Sequence, residues 1–221
     1  MAPYRETLGS YRVRLLRELR DAGQAYFNNQ GSPTPNADLN AWLTEGMRWR
    51  DLWSGGSRSY RAQVPTAIGV EQYDLTTLFP NDTVLDVINL WLLFGQARLP
   101  LSELPLGTVT RGYRSVAGYT NVPAAYCRYG ATRVFIATAP SGPYTTDWDV
   151  AVLSTQLVAD TDQDPLPYPY TEPVVKYAAY LAKQNQRRFD EAQVFYNEAA
   201  RALNDIEGSR VGMMPQPVTS R

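Results

Sequence analysis

Carboxylates are the only side chains here with the numbers and spacing for acid–base chemistry, because the 221 residues include no histidine. That removes every Ser-His, Cys-His and His-metal arrangement, and with it the side chain best suited to moving protons near neutral pH. Two acidic groupings remain. Asp160, Asp162 and Asp164 alternate like the first ligands of a calcium loop, which then requires glycine at its sixth position and glutamate at its twelfth. Pro165 and Thr171 occupy those positions, so the run is expected to be a solvated acidic linker. Asp147 and Asp149 share one face of a predicted strand and could form a glycosidase-type carboxylate pair. With no second cluster to hold a substrate or metal, exposed strand residues explain them better. No GxxxxGK[ST] or GxGxxG sequence is present to cradle phosphate. A carboxylate-dependent hydrolase is thus the weakest reading, and no catalytic residue, metal ligand or cofactor is expected.

The charge balance points the same way. Twenty-one basic residues stand against 22 acidic ones, a formal net charge of −1, so no global field draws the chain to nucleic acid or an anionic membrane. Arg111, Arg114, Arg128 and Arg133 fall near Tyr113, Tyr119, Tyr126 and Tyr129, the best local candidate for base stacking. Stacking binders also need a cationic groove, and arginine with aromatics is equally the composition of protein interfaces. Lys176 and Lys183 are the only lysines; the arginine bias suits forked hydrogen bonding at interfaces. Residues 1–20 carry five arginines and no apolar core of the kind a signal peptide needs, which predicts a protein kept in the cytoplasm where it is made. The longest apolar run, Val84 to Phe94, is far below the ~20 residues of a membrane-crossing helix, so no membrane partner is expected. Cys127, the sole cysteine, is expected to be a small buried hydrophobe.

The elements that must position any surface follow from periodicity. Apolar residues at three- and four-residue steps predict an amphipathic helix from Tyr4 to Ala22 and a second from Asn36 to Trp53, capped by Asn36, with Leu39, Trp42, Leu43, Gly46, Trp49 and Trp53 on its apolar face. A loop is expected over Asn28 to Pro35, and Gly55-Gly56 stops the second helix. Strands are predicted at Arg58–Val64, Gly69–Leu75, Thr83–Phe94, Ala124–Tyr129, Arg133–Thr138 and Asp147–Val158. Apolar residues fill both alternating sets of Thr83–Phe94, as in a strand covered on both faces. Leu99 to Ser115 reads as a connection with one short helical turn. Asp160 to Pro173, acidic and then proline-rich, is expected to hold no ladder. Thr171 with Pro173 starts a helix, and a last periodic segment runs from Phe189 to Gly208; Gln184 to Arg187 leaves open whether these are one helix or two. Ser209 to Arg221 is aperiodic and is expected to be disordered alone. The predicted class is α+β: two N-terminal helices (1–57), a mostly antiparallel β region of about six strands (58–159), two C-terminal helices (160–208) and an extended tail (209–221), together one compact domain.

In this order the motifs become familiar. The helix Asn36 to Trp53, then Gly69-Val70-Glu71-Gln72-Tyr73-Asp74-Leu75, Val122-Pro123-Ala124-Ala125-Tyr126, and Arg133-Val134-Phe135-Ile136-Ala137-Thr138-Ala139-Pro140 before Tyr144 resemble the head-to-tail adaptor (connector) proteins of tailed bacteriophages. The likeness covers roughly residues 36 to 206. It implies a non-enzymatic ring, commonly twelve-fold, made in the host cytoplasm and located at the head-tail junction of the virion. Such a ring docks under the portal protein and offers its other rim to tail, tail-terminator or nozzle proteins. The implied channel would allow non-specific contact with genomic DNA, and the C-terminal extension would lie along the portal. No catalytic residue carries over.

A ring built from one repeated heterologous contact needs two complementary patches per subunit. Partner-binding candidates are Trp53 and Trp91, with Met213, Met214, Pro215, Pro217 and Arg221 in the tail. The alternative from another class is a monomeric carbohydrate- or peptide-binding β module with helical flanks.

Overall fold

The computed structural model describes residues 4–20, 36–54, 58–113 and 120–211. In chain order the elements are β1 (Arg5–Thr7), α1 (Leu8–Glu18), α2 (Ala37–Trp53), β2 (Arg58–Pro65), β3 (Gln72–Asp74), α3 (Leu75–Leu78), β4 (Val84–Phe94), β5 (Ala97–Pro100), β6 (Ser102–Glu103), α4 (Leu106–Thr108), a π-helical turn (Val109–Tyr113), β7 (Thr120–Asn121), β8 (Ala125–Tyr129), β9 (Arg133–Ala137), β10 (Ala139–Pro140), β11 (Thr145–Val152), β12 (Gln163–Pro167), α5 (Glu172–Asn185) and α6 (Phe189–Val211). The class is α+β, as expected. The chain divides into two compact units, one of residues 1–57 with 154–221 and one of residues 58–153.

The first unit brings the helices from both chain ends around one core of Leu8, Tyr11, Leu15, Leu39, Leu43, Val174 and Ala178. Each such leucine, fully removed from water, contributes about 1.5–3 kcal/mol. α1 starts where the Thr7 hydroxyl accepts from the Ser10 N–H at 3.2 Å, an N-cap that satisfies an orphan donor. Asn36 does sit at the start of α2, but in the left-handed region at φ 66°, and its side chain makes no capping bond. Of the expected apolar face of α2, Leu39, Leu43 and Gly46 are buried, but Met47, Arg50 and Asp51 complete the buried stripe, while Trp42, Trp49 and Trp53 flank it. α5 and α6 are separate helices, because the chain turns at Gln186 and Arg187, the latter with φ 61°. α6 continues through Gly208 to Val211, so an exposed glycine did not end it and residues 209–211 belong to the helix, not the tail. Residues 212–221, like the expected loop at 28–35 and the helix stop at Gly55-Gly56, lie outside the described residues.

One expectation fails outright. The Asp160–Pro173 stretch does hold a ladder: β12 pairs antiparallel with β1, Arg5 opposite Pro167 and Thr7 opposite Gln163. A strand paired on one side only has an outer edge that needs no donors, so Pro165 and Pro167 are tolerated there. β1 takes up what was predicted as the first turn of α1.

The second unit contains two four-stranded sheets, ordered β2-β11-β4-β5 and β3-β9-β8-β6, and a parallel β7–β10 pair. The six predicted strands are all present. Gly69–Leu75 contracts to β3, Asp147–Val158 becomes Thr145–Val152, and four further short strands, β5, β6, β7 and β10, join them. Leu99–Ser115 contains β5, β6 and the helical turns. Trp148, Val150, Leu90, Leu92, Tyr126, Val134 and Ile136 share a core. Trp148 is fully buried there, and its Nε1–H donates to the Thr146 hydroxyl at 2.8 Å. β4 is not covered on both faces by the described residues, since Ile88 is 48% exposed. The cause is a bulge: Asn89 faces Asp149 and Val87 faces Val150, leaving Ile88 as the extra residue. The bulge lets Val87 and Leu90 both point inward although their parity differs.

α2 and α5 touch at Gly46, where an added Cβ would stand 2.7 Å from the Val174 carbonyl oxygen. Gly46→Ala gains up to about 1 kcal/mol of helix propensity but forces two packed backbones apart, an overpacking cost of about 1–3 kcal/mol. The expected outcome is a lower urea midpoint; an unchanged or raised midpoint would show that the contact yields freely.

Candidate interaction surfaces

The acidic run weighed for calcium has a different use. Asp160 accepts the Gly9 N–H on its backbone oxygen at 3.1 Å and pairs its carboxylate with Arg12 at 2.7 Å. The Asp162 carboxylate accepts the N–H groups of Val158 and Ala159, both at 2.8 Å, and these bonds hold its carboxyl below the ordinary range. Asp164 is fully buried. It accepts from the Tyr11 hydroxyl at 2.6 Å, Arg50 Nη1 at 2.7 Å and the Leu166 N–H at 2.8 Å. The run is therefore a clamp on α1 and not a solvated linker. Its partners Gly9, Tyr11, Arg12 and Arg50 lie far away in sequence, where spacing rules do not reach.

Arg50 sits at the centre of this clamp with no exposure to solvent. Besides Asp164 it contacts the Asp51 carboxylate at 3.0 Å and the Ser154 hydroxyl at 3.0 Å, and Asp51 accepts the Ser154 N–H at 2.6 Å. Burial works against the guanidinium charge, but Asp164 and Asp51 outweigh it and raise the Arg50 pKa. Burial, then the neighbouring Asp164 charge, drives the Tyr11 phenol well above its usual value. A charge so paired is a structural tie. It offers no open coordination position, and among the described residues no group of three or more His, Cys, Asp or Glu is placed to hold a metal.

Asp147 and Asp149 do not form an open pair. Asp147 is buried and lies 3.0 Å from Arg98 Nε, and the Arg98 guanidinium covers the Trp91 ring at 3.5 Å. Trp91 is thus half-buried beneath a cation instead of standing free. The arginine–tyrosine group also disperses. Tyr126 and Arg128 point to one face of β8 and Tyr129 to the other; Arg128 is tied to Asp86 and donates to the Leu85 carbonyl at 3.0 Å. Burial, then the charges of Glu103 and Asp86, push Tyr126 up to about 12. Arg111 and Arg133 are exposed, and Arg114 and Tyr119 lie outside the described residues. Among the described residues of the group no stacking groove forms. Cys127 is buried, as expected of a small hydrophobe.

The lysines tie helices together: Lys176 reaches Glu18 and Glu198, each at 3.0 Å, and Lys183 reaches Glu191 at 2.7 Å. In a groove of about 530 Å³ beside Leu19, Lys183, Arg188, Glu191 and Phe195, Lys183 and Arg188 both pair with Glu191, the latter at 3.3 Å.

What sequence reasoning missed is an aromatic surface on α2, α5 and α6. Trp49 and Tyr177 stack with centroids 4.6 Å apart and planes 11° from parallel. Trp53, 57% exposed, lies 5.8 Å from Trp49, and Tyr180 and Tyr196 are 5.4 Å apart beside Tyr177. Tyr177, Trp49 and Tyr196 each fit a helical apolar stripe, so the pattern assigned them to the core; the packing of three helices leaves them half-buried at its rim.

The described residues present paired charges, three apolar cores and exposed rings, the makings of surfaces for contact with other proteins. The chain matches the SU10 adaptor protein family over residues 7–221, and it belongs to that family. It is a bacteriophage structural adaptor, from a family that is structural and not enzymatic, and it associates with other head and tail components of the virion. Nothing among curated proteins matches it. No described helix is long and apolar enough to cross a membrane.

Two outcomes test the buried network. Arg50→Leu leaves Asp51 and Asp164 uncompensated and is expected to cost about 3–5 kcal/mol, read as a loss of urea stability; a smaller cost than for a single exposed pair would mean that the network is dispensable. The Tyr11 pKa is raised on folding, so its contribution is complete below the unfolded tyrosine value near 10 and is lost as pH rises above it. Wild-type stability should therefore fall between about pH 10 and 11 more steeply than that of Tyr11→Phe, and parallel curves would exclude Tyr11 as the cause.

Proposed function

We propose that this adaptor assembles into a homo-oligomeric ring, twelve-fold by resemblance, which joins the portal vertex of the phage capsid to the tail and continues the DNA channel. Its partners on this reading are the portal protein on one rim and tail, tail-terminator or nozzle proteins on the other, with non-specific contact to genomic DNA in the channel. The observation that carries the reading is family membership across 7–221. Physical support comes from surfaces that one chain leaves uncovered: the bulged strand β4 with Ile88 and Phe94 exposed, and the aromatic rim with Trp53. A heterologous ring contact requires two unlike patches of this kind, and Tyr, Trp and Arg are the side chains enriched at the centre of protein interfaces. Trp91, capped by Arg98, and the segment holding Met213, Met214, Pro215, Pro217 and Arg221 are further proposed partner-binding positions.

Light scattering of the purified chain, alone and mixed with its portal protein, tests this. A multiple of the 24.8 kDa monomer is expected in at least one condition. A strict monomer that never binds portal would overturn the ring and favour the monomeric binding module.

A further inference from the structure

The aromatic surface of the helical unit is close to neutral. Glu45, whose charge reaches Tyr177, is paired with Arg48 at 2.7 Å. Such a surface suits an apolar, stiff, weakly charged occupant. One segment of this chain has that chemistry: residues 212–221, Gly-Met-Met-Pro-Gln-Pro-Val-Thr-Ser-Arg, carry one charged side chain, two methionines and two prolines. Thioethers contact aromatic rings favourably, and proline-containing segments bind aromatic-lined grooves at low entropic cost.

Chain length decides which copy can supply it. α6 carries Tyr196 and ends at Val211, which places its end about 22 Å beyond Tyr196 at 1.5 Å per residue. From Val211 the chain reaches at most about 3.6 Å per residue, so Met213, Met214 and Pro215 stay within about 7, 11 and 14 Å of it. Those residues cannot return to Tyr196 of their own helix. We propose that the aromatic surface formed by Trp49, Trp53, Tyr177, Tyr180 and Tyr196 in one subunit receives residues 213–215 of a second copy of this chain. The inference rests on the proposed self-assembly and adds the contact that links neighbours.

The test uses two full-length preparations, Trp53→Cys and isotopically heavy Met214→Cys, mixed under assembly conditions and oxidised. Trp53 is exposed, so its replacement removes no core side chain; Cys127 is buried and stays. The expected product is a reducible species of two chains, at least five-fold above either preparation alone, whose 53–214 linked peptide has one heavy and one light half. Copies that assemble by light scattering without this link overturn the docking and leave the ring reading intact. So does a double-cysteine chain that links only within itself, or a Met214→Cys chain that links only to portal protein. Failure to assemble, with or without portal, overturns the ring and the docking together.

Discussion

A guanidinium group with no access to water dictates how the helical unit closes. Arg50 on α2 needs acceptors in the interior, and it finds them on Asp51 beside it, on Asp164 in β12, on Ser154 and on the Tyr170 carbonyl at 3.5 Å. Removing such a charge from water is costly unless every hydrogen-bonding direction is answered. The segment from Ser154 to Tyr170 must therefore lie against α2, and Tyr11 brings α1 to the same carboxylate. Apolar burial supplies the driving force; the ion network selects one arrangement among those that hydrophobic packing alone would permit.

That constraint explains the acidic run after the sheet. Asp160, Asp162 and Asp164 each hold a different segment: the start of α1, the turn at Val158–Ala159, and the Arg50–Tyr11 centre. Around them, Arg14 bridges Glu6 and Glu172, and Lys176 bridges α1 and α6. β1 and α1 are thereby fastened to helices more than 150 residues later in the chain. The β unit closes by another route, with Trp148 at the centre of an apolar core and its one polar atom bonded to Thr146.

Function in an adaptor is a matter of which surfaces remain uncovered. The bulge at Ile88 leaves part of one face of β4 open, and Gly46 brings α2 close to α5 so that Trp49 can stack on Tyr177. Both features come from ordinary packing requirements, yet they leave faces that a partner can contact.

The sequence by itself determined the α+β class, the positions of the main helices and strands, and the absence of imidazole chemistry, because periodicity, turn residues and composition are local properties. The resemblance in motif order pointed to the adaptor family, and the family match agreed. Only the tertiary structure decided that Arg50 is buried and not Trp53, that Asp164 is an interior acceptor, that β12 pairs with β1 despite two prolines, and that Tyr177 and Tyr196 sit at a rim. Each of these depends on partners more than one hundred residues away or on the crossing of helices. A side chain's parity or helical phase names a face, but what covers that face is set by contacts a local pattern does not contain.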